Sequence, residues 1–234
     1  MPGWLLLCAP MFKLVLFDID GTLIRTGGAG VKAFAQTSTE EFGLPGATQG
    51  ITFAGRTDRA LVKLILDNNA IEVTEAEIER FFSAYLERLS HFLPTDNTRP
   101  LPGVLDLIKQ LRTRNPAPVI GLLTGNHKQG AELKLRHYNL WDEFEMGVFG
   151  GQSFDRNALA REALAWANDH WKDIQPEEIL VIGDTERDIQ CARSIGARVL
   201  AVATGDSAIE ELQACNPDWA SDDLLRENLP KSWD

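Results

Sequence analysis

The stretch from Leu14 to Gly21 constrains the fold more than any other, because it joins four apolar residues to two closely spaced carboxylates. The apolar run 14–17 predicts a strand buried on both faces, as in the centre of a parallel sheet. Asp18 and Asp20 follow it, and residues two apart in an extended segment point to the same side. Converging carboxylates repel each other unless a cation or a proton lies between them. A polar turn after a strand is the simpler alternative for this pattern.

The composition is that of an ordinary globular protein, with 234 residues of which 44% are hydrophobic and 24% charged. This length suffices for one α/β domain with a smaller inserted module. The formal net charge of -11 argues against a nucleic-acid surface, but a small phosphorylated metabolite needs only a local positive site. The three cysteines, Cys8, Cys191 and Cys215, are widely spaced, which predicts no disulfide framework and a reducing cytoplasm.

The run Trp4–Ala9 is apolar but lacks a basic region before it, so we expect residues 1–10 to be an extension rather than a signal peptide. Met11 is a candidate for the biological start. No apolar run approaches the roughly 18 to 20 residues of a membrane span, so no membrane association is predicted.

Residues 31–93 read as helices without a strand. The clearest helix follows Thr74 and carries apolar residues at spacings of three and four, and Thr74 with Glu77 fits a capping box. The glycine-rich segment 24–30 before this region predicts a hinge. Between the first two helices, the polar loop 53–58 could reach over a site or could simply cap a helix.

After Pro102 the pattern alternates between helices and buried strands, which predicts a doubly wound parallel sheet with the helical region inserted after its first strand. Expected strands are 119–123, 144–149, 178–182 and 198–203, and expected helices lie between them, the last of them from Asp188 to Ser194.

Two further polar motifs stand at predicted strand ends. Thr124-Gly125-Asn126 offers a hydroxyl and backbone amides that could bind an anion, or could form a turn and helix cap. Asp184 ends another strand, and Asp188 lies one helical turn beyond it. An all-oxygen set of carboxylates suits Mg²⁺, whereas acidic residues that merely favour a helix N-terminus are the alternative.

These motifs, beginning with Asp18-Ile19-Asp20-Gly21-Thr22-Leu23, resemble those of the haloacid dehalogenase-like superfamily in its phosphatase form. The polar loop, with its Gly-Arg-Thr-Asp stretch at 55–58, is similar to the phosphoglycolate phosphatase-like branch. The resemblance implies a core at 11–25 and 97–234, a small helical cap at 26–96 and a Mg²⁺ cofactor.

The resemblance also implies roles for individual residues. Asp18 would attack phosphorus and form an aspartyl-phosphate, and Asp20 would act as general acid and base. Asp18, Asp184 and the backbone carbonyl of Asp20 would hold the metal, with Asp188 orienting its surroundings or Arg156. Arg156 stands where the family usually has lysine, and it would neutralise Asp18 and the transferring phosphoryl group; a plain surface ion pair is the alternative. Thr124 would hold a phosphoryl oxygen, and the other expected phosphate- or substrate-binding residues are Gly21, Thr22, Gly125, Asn126 and Arg56.

Asp20 favours phosphate-ester chemistry, because the dehalogenases and phosphonatases that this chain resembles lack an acid there. A sugar phosphomutase and a non-catalytic binding module on the same fold remain open. A dinucleotide-binding protein is disfavoured, because the first strand leads into Asp-x-Asp rather than a glycine fingerprint. Among substrates, a small cap favours small soluble phosphates, and the resemblance suggests phosphoglycolate or a related metabolite.

Overall fold

The computed structural model of the protein describes residues 12–93 and 99–229. Its centre is a six-stranded, wholly parallel sheet in the order β3-β2-β1-β4-β5-β6. The strands are β1 (Leu14–Phe17), β2 (Val119–Thr124), β3 (Met146–Phe149), β4 (Ile179–Gly183), β5 (Arg198–Val202) and β6 (Trp219–Ser221).

Strand β1 lies in the interior of the sheet, between β2 and β4. All four of its residues are fully buried, as the uninterrupted apolar run predicts. In register, Phe17 pairs with Leu122 on one side and Ile182 on the other. The chain that leaves β1 therefore emerges between the ends of β2 and β4. This topology brings the loops after β1, β2 and β4 to one edge of the sheet.

Helices cover both faces of the sheet. On one face, α4 (Val104–Thr113) and α5 (Lys128–His137) pack their apolar side chains into a cluster with Val15 and Phe17. On the other face, α6 (Arg156–His170), α7 (Glu186–Arg193) and α8 (Ile209–Ala214) pack with Leu14 and Leu16. The alternation of side chains along β1 thus divides the core into two layers.

The helical cap comprises α1 (Ala29–Phe42), α2 (Asp58–Asn68) and α3 (Glu75–Phe92). These helices enclose a third hydrophobic cluster around Phe34, whose ring lies 5.1 Å from Phe81 and 4.6 Å from Tyr85. The aromatic residues of α3 are therefore core, as their spacing indicates. Thr74 caps α3 by accepting a hydrogen bond from the Glu77 amide.

The α/β fold with an inserted cap is confirmed, and so are the five expected strands apart from shifts of one or two residues at their ends. Strand β6 and helix α8 were not predicted, and α7 begins at Glu186, two residues before the predicted start. The extension at 1–10 lies outside the described residues, and the boundary at 96/97 lies within a gap in them, so the domain limits stay a prediction. Within the described ranges, no helix is both long and apolar enough to span a bilayer.

Candidate active site

The loop after β1 places Asp18 and Asp20 at one end of the sheet. Asp18 is only 5% exposed, and its amide donates a hydrogen bond to the Ile182 carbonyl at 2.9 Å. Gly21 has a φ of +86°, and a Cβ added to it would come within 2.3 Å of Asp184 Oδ2. Only glycine allows the loop this conformation and this close approach.

Three buried carboxylates, those of Asp18, Asp184 and Asp188, have oxygen atoms within 4.8 Å of one another. Burial raises the pKa of Asp18 to about 6 despite the opposing effect of Arg156, and Asp188 and Asp20 contribute to the rise. Burial, Asp188 and Asp18 also raise the pKa of Asp184 well above its usual value. This arrangement requires compensating positive charge, and a divalent cation would supply it.

Arg156, the first residue of α6, supplies one positive charge. Its guanidinium lies 3.0 Å from Asp18 Oδ1 and forms a second, shorter ion pair with Asp188 Oδ1. Burial would lower the pKa of Arg156, but Asp188 and Asp18 raise it above its usual value. The side chain is buried, so the alternative of a surface ion pair is wrong.

Asp188 uses both of its oxygens within the protein. Oδ1 accepts from Arg156, and Oδ2 accepts from the Thr185 amide at 3.0 Å and the Thr185 hydroxyl at 2.6 Å. The contacts with Thr185 form a capping box that starts α7. Asp188 thus pairs with Arg156, which is in line with one of the two roles that the resemblance implies for it, and that role stays a prediction.

Thr22 has a different environment from the expected phosphate site. It is fully buried, and its hydroxyl donates to Asp184 Oδ1 at 3.0 Å. Thr22 therefore orients one of the candidate metal ligands, and its side chain does not line the cavity described below.

The loop after β2 brings Thr124, Gly125 and Asn126 to the same edge. Burial raises the pKa of Asp18, and Thr124 opposes that rise. The Thr124 hydroxyl oxygen accepts a hydrogen bond from the Asn126 side-chain amide at 2.9 Å. The same amide donates to Asp20 Oδ2 at 2.9 Å. The predicted anion-binding turn and the predicted acid-base residue are thus directly connected.

The cap contacts this loop through the main chain and the side-chain carboxylate of Asp58. The Asp58 amide donates to the Gly125 carbonyl at 2.7 Å, and the His127 amide donates to Asp58 Oδ2 at 2.7 Å. A Cβ at Gly125 would lie 2.1 Å from the Arg56 carbonyl, so this approach requires glycine. Burial raises the pKa of Asp58 to about 6, although Lys134 and the His127 amide oppose the shift. Thr57 caps α2, so the loop at 53–58 both caps a helix and faces the site.

Lys134 is a residue of the site that the sequence reasoning missed. It lies on α5, is 4% exposed, and contacts Asp20 Oδ2 and Asn126 Oδ1, each at 2.6 Å. The sequence pattern could have identified Lys134, because this residue falls in the buried stripe of α5 formed by Gly130, Ala131 and Leu135. A lysine in such a stripe requires a polar partner.

A cavity of about 300 Å³ lies between the sheet edge and the cap. Asp18, Asp20 and Asp184 line it from the core, and Arg56 lines it from the cap. Arg25, another residue not singled out in the sequence, also lines the cavity and donates to the Thr204 and Gly205 carbonyls. The structure thus brings the predicted carboxylates and cations to one partly open cavity.

The chain is similar in sequence to known phosphatases. A phosphoglycolate phosphatase of Vibrio vulnificus (strain CMCP6) is 26% identical over 222 residues, covering 92% of this chain and 93% of the relative. Phosphoglycolate phosphatase 1 of Pseudomonas aeruginosa is 30% identical over 206 residues, covering 82% and 70%.

Among solved structures, a predicted phosphoglycolate phosphatase from Haemophilus somnus superposes with a TM-score of 0.68 at 21% identity, covering 92% of this chain and 95% of the other. This similarity concerns the fold. The sequence model of the haloacid dehalogenase-like hydrolase family matches residues 15–202, and the chain belongs to that family.

Proposed function

We propose that the protein is a Mg²⁺-dependent phosphatase that hydrolyses small phosphate monoesters through an aspartyl-phosphate. One observation carries this proposal: Asp18 lies at the end of β1 with Oδ1 3.0 Å from Arg156, in a cavity that Asp20 also lines. A nucleophile, a cation and a second carboxylate around one cavity match the requirements of phosphoryl transfer.

The first half of the reaction transfers the phosphoryl group to the enzyme. An Asp18 oxygen forms a bond to phosphorus while the bond from phosphorus to the ester oxygen breaks. Protonated Asp20 gives its proton to the departing alcohol. In the second half, Asp20 takes a proton from water, the resulting hydroxide attacks phosphorus, and the Asp18 carboxylate and inorganic phosphate are released.

Arg156 and the loop after β2 would stabilise the transferring group. Arg156 already contacts Asp18, and its buried Nε has no hydrogen-bond partner among the described residues. Gly21, Gly125 and Asn126 line the same space and offer amide donors to phosphoryl oxygens. Thr124 is fully buried and does not line the cavity, so its predicted contact with a phosphoryl oxygen stays a prediction. Fixed donors in a cavity that excludes water stabilise developing charge without reorganisation.

The residues present fit a divalent cation. Asp18, Asp184 and the Asp20 carbonyl would hold it, in line with the raised pKa values of the two buried carboxylates. When bound, Mg²⁺ would neutralise the carboxylates and the phosphate oxygens that approach them. Asp188 is left out of this set because both of its oxygens are engaged with Arg156 and Thr185.

The cavity supports a small anionic substrate. About 300 Å³ accommodates a phosphate group with a few further atoms, whereas a folded phosphoprotein could not enter it. Arg25 and Arg56 line the wall and could bind a second anionic group of the substrate. The names of the relatives favour phosphoglycolate or a similar metabolite.

The test is release of inorganic phosphate from a panel of small phosphate esters that includes phosphoglycolate, measured with Mg²⁺ and with EDTA. We expect sustained, metal-dependent release that Asp18→Asn abolishes. Unchanged turnover in Asp18→Asn would refute the covalent scheme. A single burst without sustained release would instead support a phosphomutase, and absence of both Mg²⁺ binding and turnover would support a non-catalytic module.

A further inference from the structure

Lys134 is a buried cation that contacts Asp20, and the sequence did not predict this contact. Its ammonium lies 2.6 Å from Asp20 Oδ2 and 2.6 Å from Asn126 Oδ1. Lys134 is 4% exposed and the Asp20 side chain is 41% exposed, and both residues line the cavity. The pair therefore joins a fixed, buried group to a carboxylate that faces the substrate space.

The contacts to Asp20 are asymmetric. Lys134 and the Asn126 side-chain amide both donate to Oδ2, at 2.6 Å and 2.9 Å. No residue in the described part of the chain donates to Oδ1. A carboxylate held by two donors on one oxygen cannot rotate freely, so its other oxygen keeps a fixed direction.

Lys134 also fixes the orientation of Asn126. By donating to Asn126 Oδ1, the ammonium turns the amide nitrogen toward Asp20 and toward the Thr124 hydroxyl, 2.9 Å away. The ammonium thus determines the positions of two groups around Asp20. An asparagine alone, with a neutral and rotatable amide, would hold the carboxylate more weakly.

We propose that Lys134 is a positioning residue that anchors Asp20 through Oδ2 and thereby presents Oδ1 to the leaving oxygen of the substrate. This inference rests on the proposed function, because it assumes that Asp20 transfers the proton to that oxygen. Lys134 itself acts only through Asp20 and Asn126.

The proposal predicts a dependence on the leaving group. An alkyl alcohol is a poor leaving group and needs the proton from Asp20, whereas p-nitrophenolate leaves without one. Loss of the anchor should therefore impair alkyl phosphates far more than p-nitrophenyl phosphate. A residue that merely stabilises the fold would affect both substrates equally.

The experiment compares Lys134→Met with Lys128→Met. Lys128 lies on the same helix, is exposed and lies outside the proposed machinery, so its variant has the same change of charge and side chain. The kcat/KM of each variant is measured with p-nitrophenyl phosphate and with the best alkyl phosphate of the panel. This parameter covers the steps up to the first irreversible one and therefore reports the departure of the leaving group.

For Lys134→Met we expect kcat/KM to fall about 100-fold with the alkyl phosphate, the loss associated with misplacing a catalytic group by about 1 Å. With p-nitrophenyl phosphate the fall should be less than about 5-fold, since general acid catalysis contributes little there. The alkyl loss should lie mainly in kcat rather than KM. Equal losses for both substrates, or no loss, would overturn the proposal.

A second comparison uses the Asp20→Asn background, in which no acid remains to be positioned. There, Lys134→Met should no longer change the ratio of the two kcat/KM values; a ratio that still changes contradicts action through Asp20. If circular dichroism shows Lys134→Met to be unfolded, Lys134→Gln replaces it and should show the same selectivity. Asp18→Asn is assayed alongside, because full activity there would refute the proposed function itself rather than the role of Lys134.

Discussion

The replacement of Arg156 by methionine tests how the carboxylate cluster is stabilised. Met preserves much of the length of the side chain but leaves Asp18 and Asp188 without the cation that contacts both. Removing one partner of a buried ion pair costs about 3–5 kcal/mol, because a charge remains buried and unpaired. We therefore expect the free energy of unfolding to fall by about 3–5 kcal/mol in EDTA at neutral pH.

The expected loss can be expressed as a melting temperature. For a chain of 150–250 residues, 1 kcal/mol corresponds to about 2–4 °C, so the Tm should fall by about 6–20 °C. Circular dichroism melts and urea titrations in EDTA measure it. The matched control is Arg161→Met on the same helix, where an exposed pair with Asp155 is lost and less than about 1 kcal/mol is expected.

The loss of stability in Arg156→Met should depend on pH. The pKa of Asp18 is raised to about 6 in the folded protein, above its usual 3.8. Its charge therefore destabilises the fold above about pH 6, and that penalty is relieved as the pH falls toward 4. Because Arg156 lowers this pKa, its removal should increase the penalty at pH 7 and reduce the difference from wild type near pH 4. A variant that melts like Arg161→Met at pH 7 would refute the reasoning.

Two further predictions concern the same site. A Cβ at Gly205 would lie 1.7 Å from Asp184 Oδ2, so Gly205→Ala should weaken Mg²⁺ binding at least about 10-fold, as measured by isothermal titration calorimetry. The control is Gly130→Ala, because a Cβ there meets only ordinary contacts, the nearest at 3.5 Å. Equal Mg²⁺ affinities for the two variants would contradict this prediction. Asp58, with a pKa raised to about 6, destabilises the protein when ionised, so Asp58→Asn should flatten the decline in urea stability between pH 4 and pH 7. An unchanged pH profile would exclude that effect.

The fold and the acidic part of the site could be predicted because their signals are local. An apolar run that ends in Asp18 and Asp20 indicates both a buried strand and the position of two carboxylates. Strand β6 escaped prediction because Trp219–Ser221 is too short to show periodicity and is defined by its pairing with β5. Helix α7 begins two residues before its predicted start, because that start depends on the Thr185–Asp188 capping box.

Lys134 and Arg25 escaped prediction for a different reason. Lys134 is separated from Asp20 by 114 residues, and only the packing of α5 beside β1 brings the two side chains together. Arg25 adjoins the first motif, but its partners are the carbonyls of Thr204 and Gly205, beyond β5. Such contacts depend on the tertiary fold, and a sequence pattern alone does not contain them.

The main-chain contact between the cap and the core has a thermodynamic consequence. The Asp58 amide donates a hydrogen bond to the Gly125 carbonyl. The amide of this same Gly125 would bind a phosphoryl oxygen. Under the proposed function, anion binding and docking of α2 would share one peptide segment, and the two equilibria would be linked. By reciprocity, any factor by which the docked cap tightens anion binding is also the factor by which a bound anion tightens docking. A bound substrate phosphate would therefore stabilise the docking of the cap on the core, and release of the product phosphate would weaken that docking.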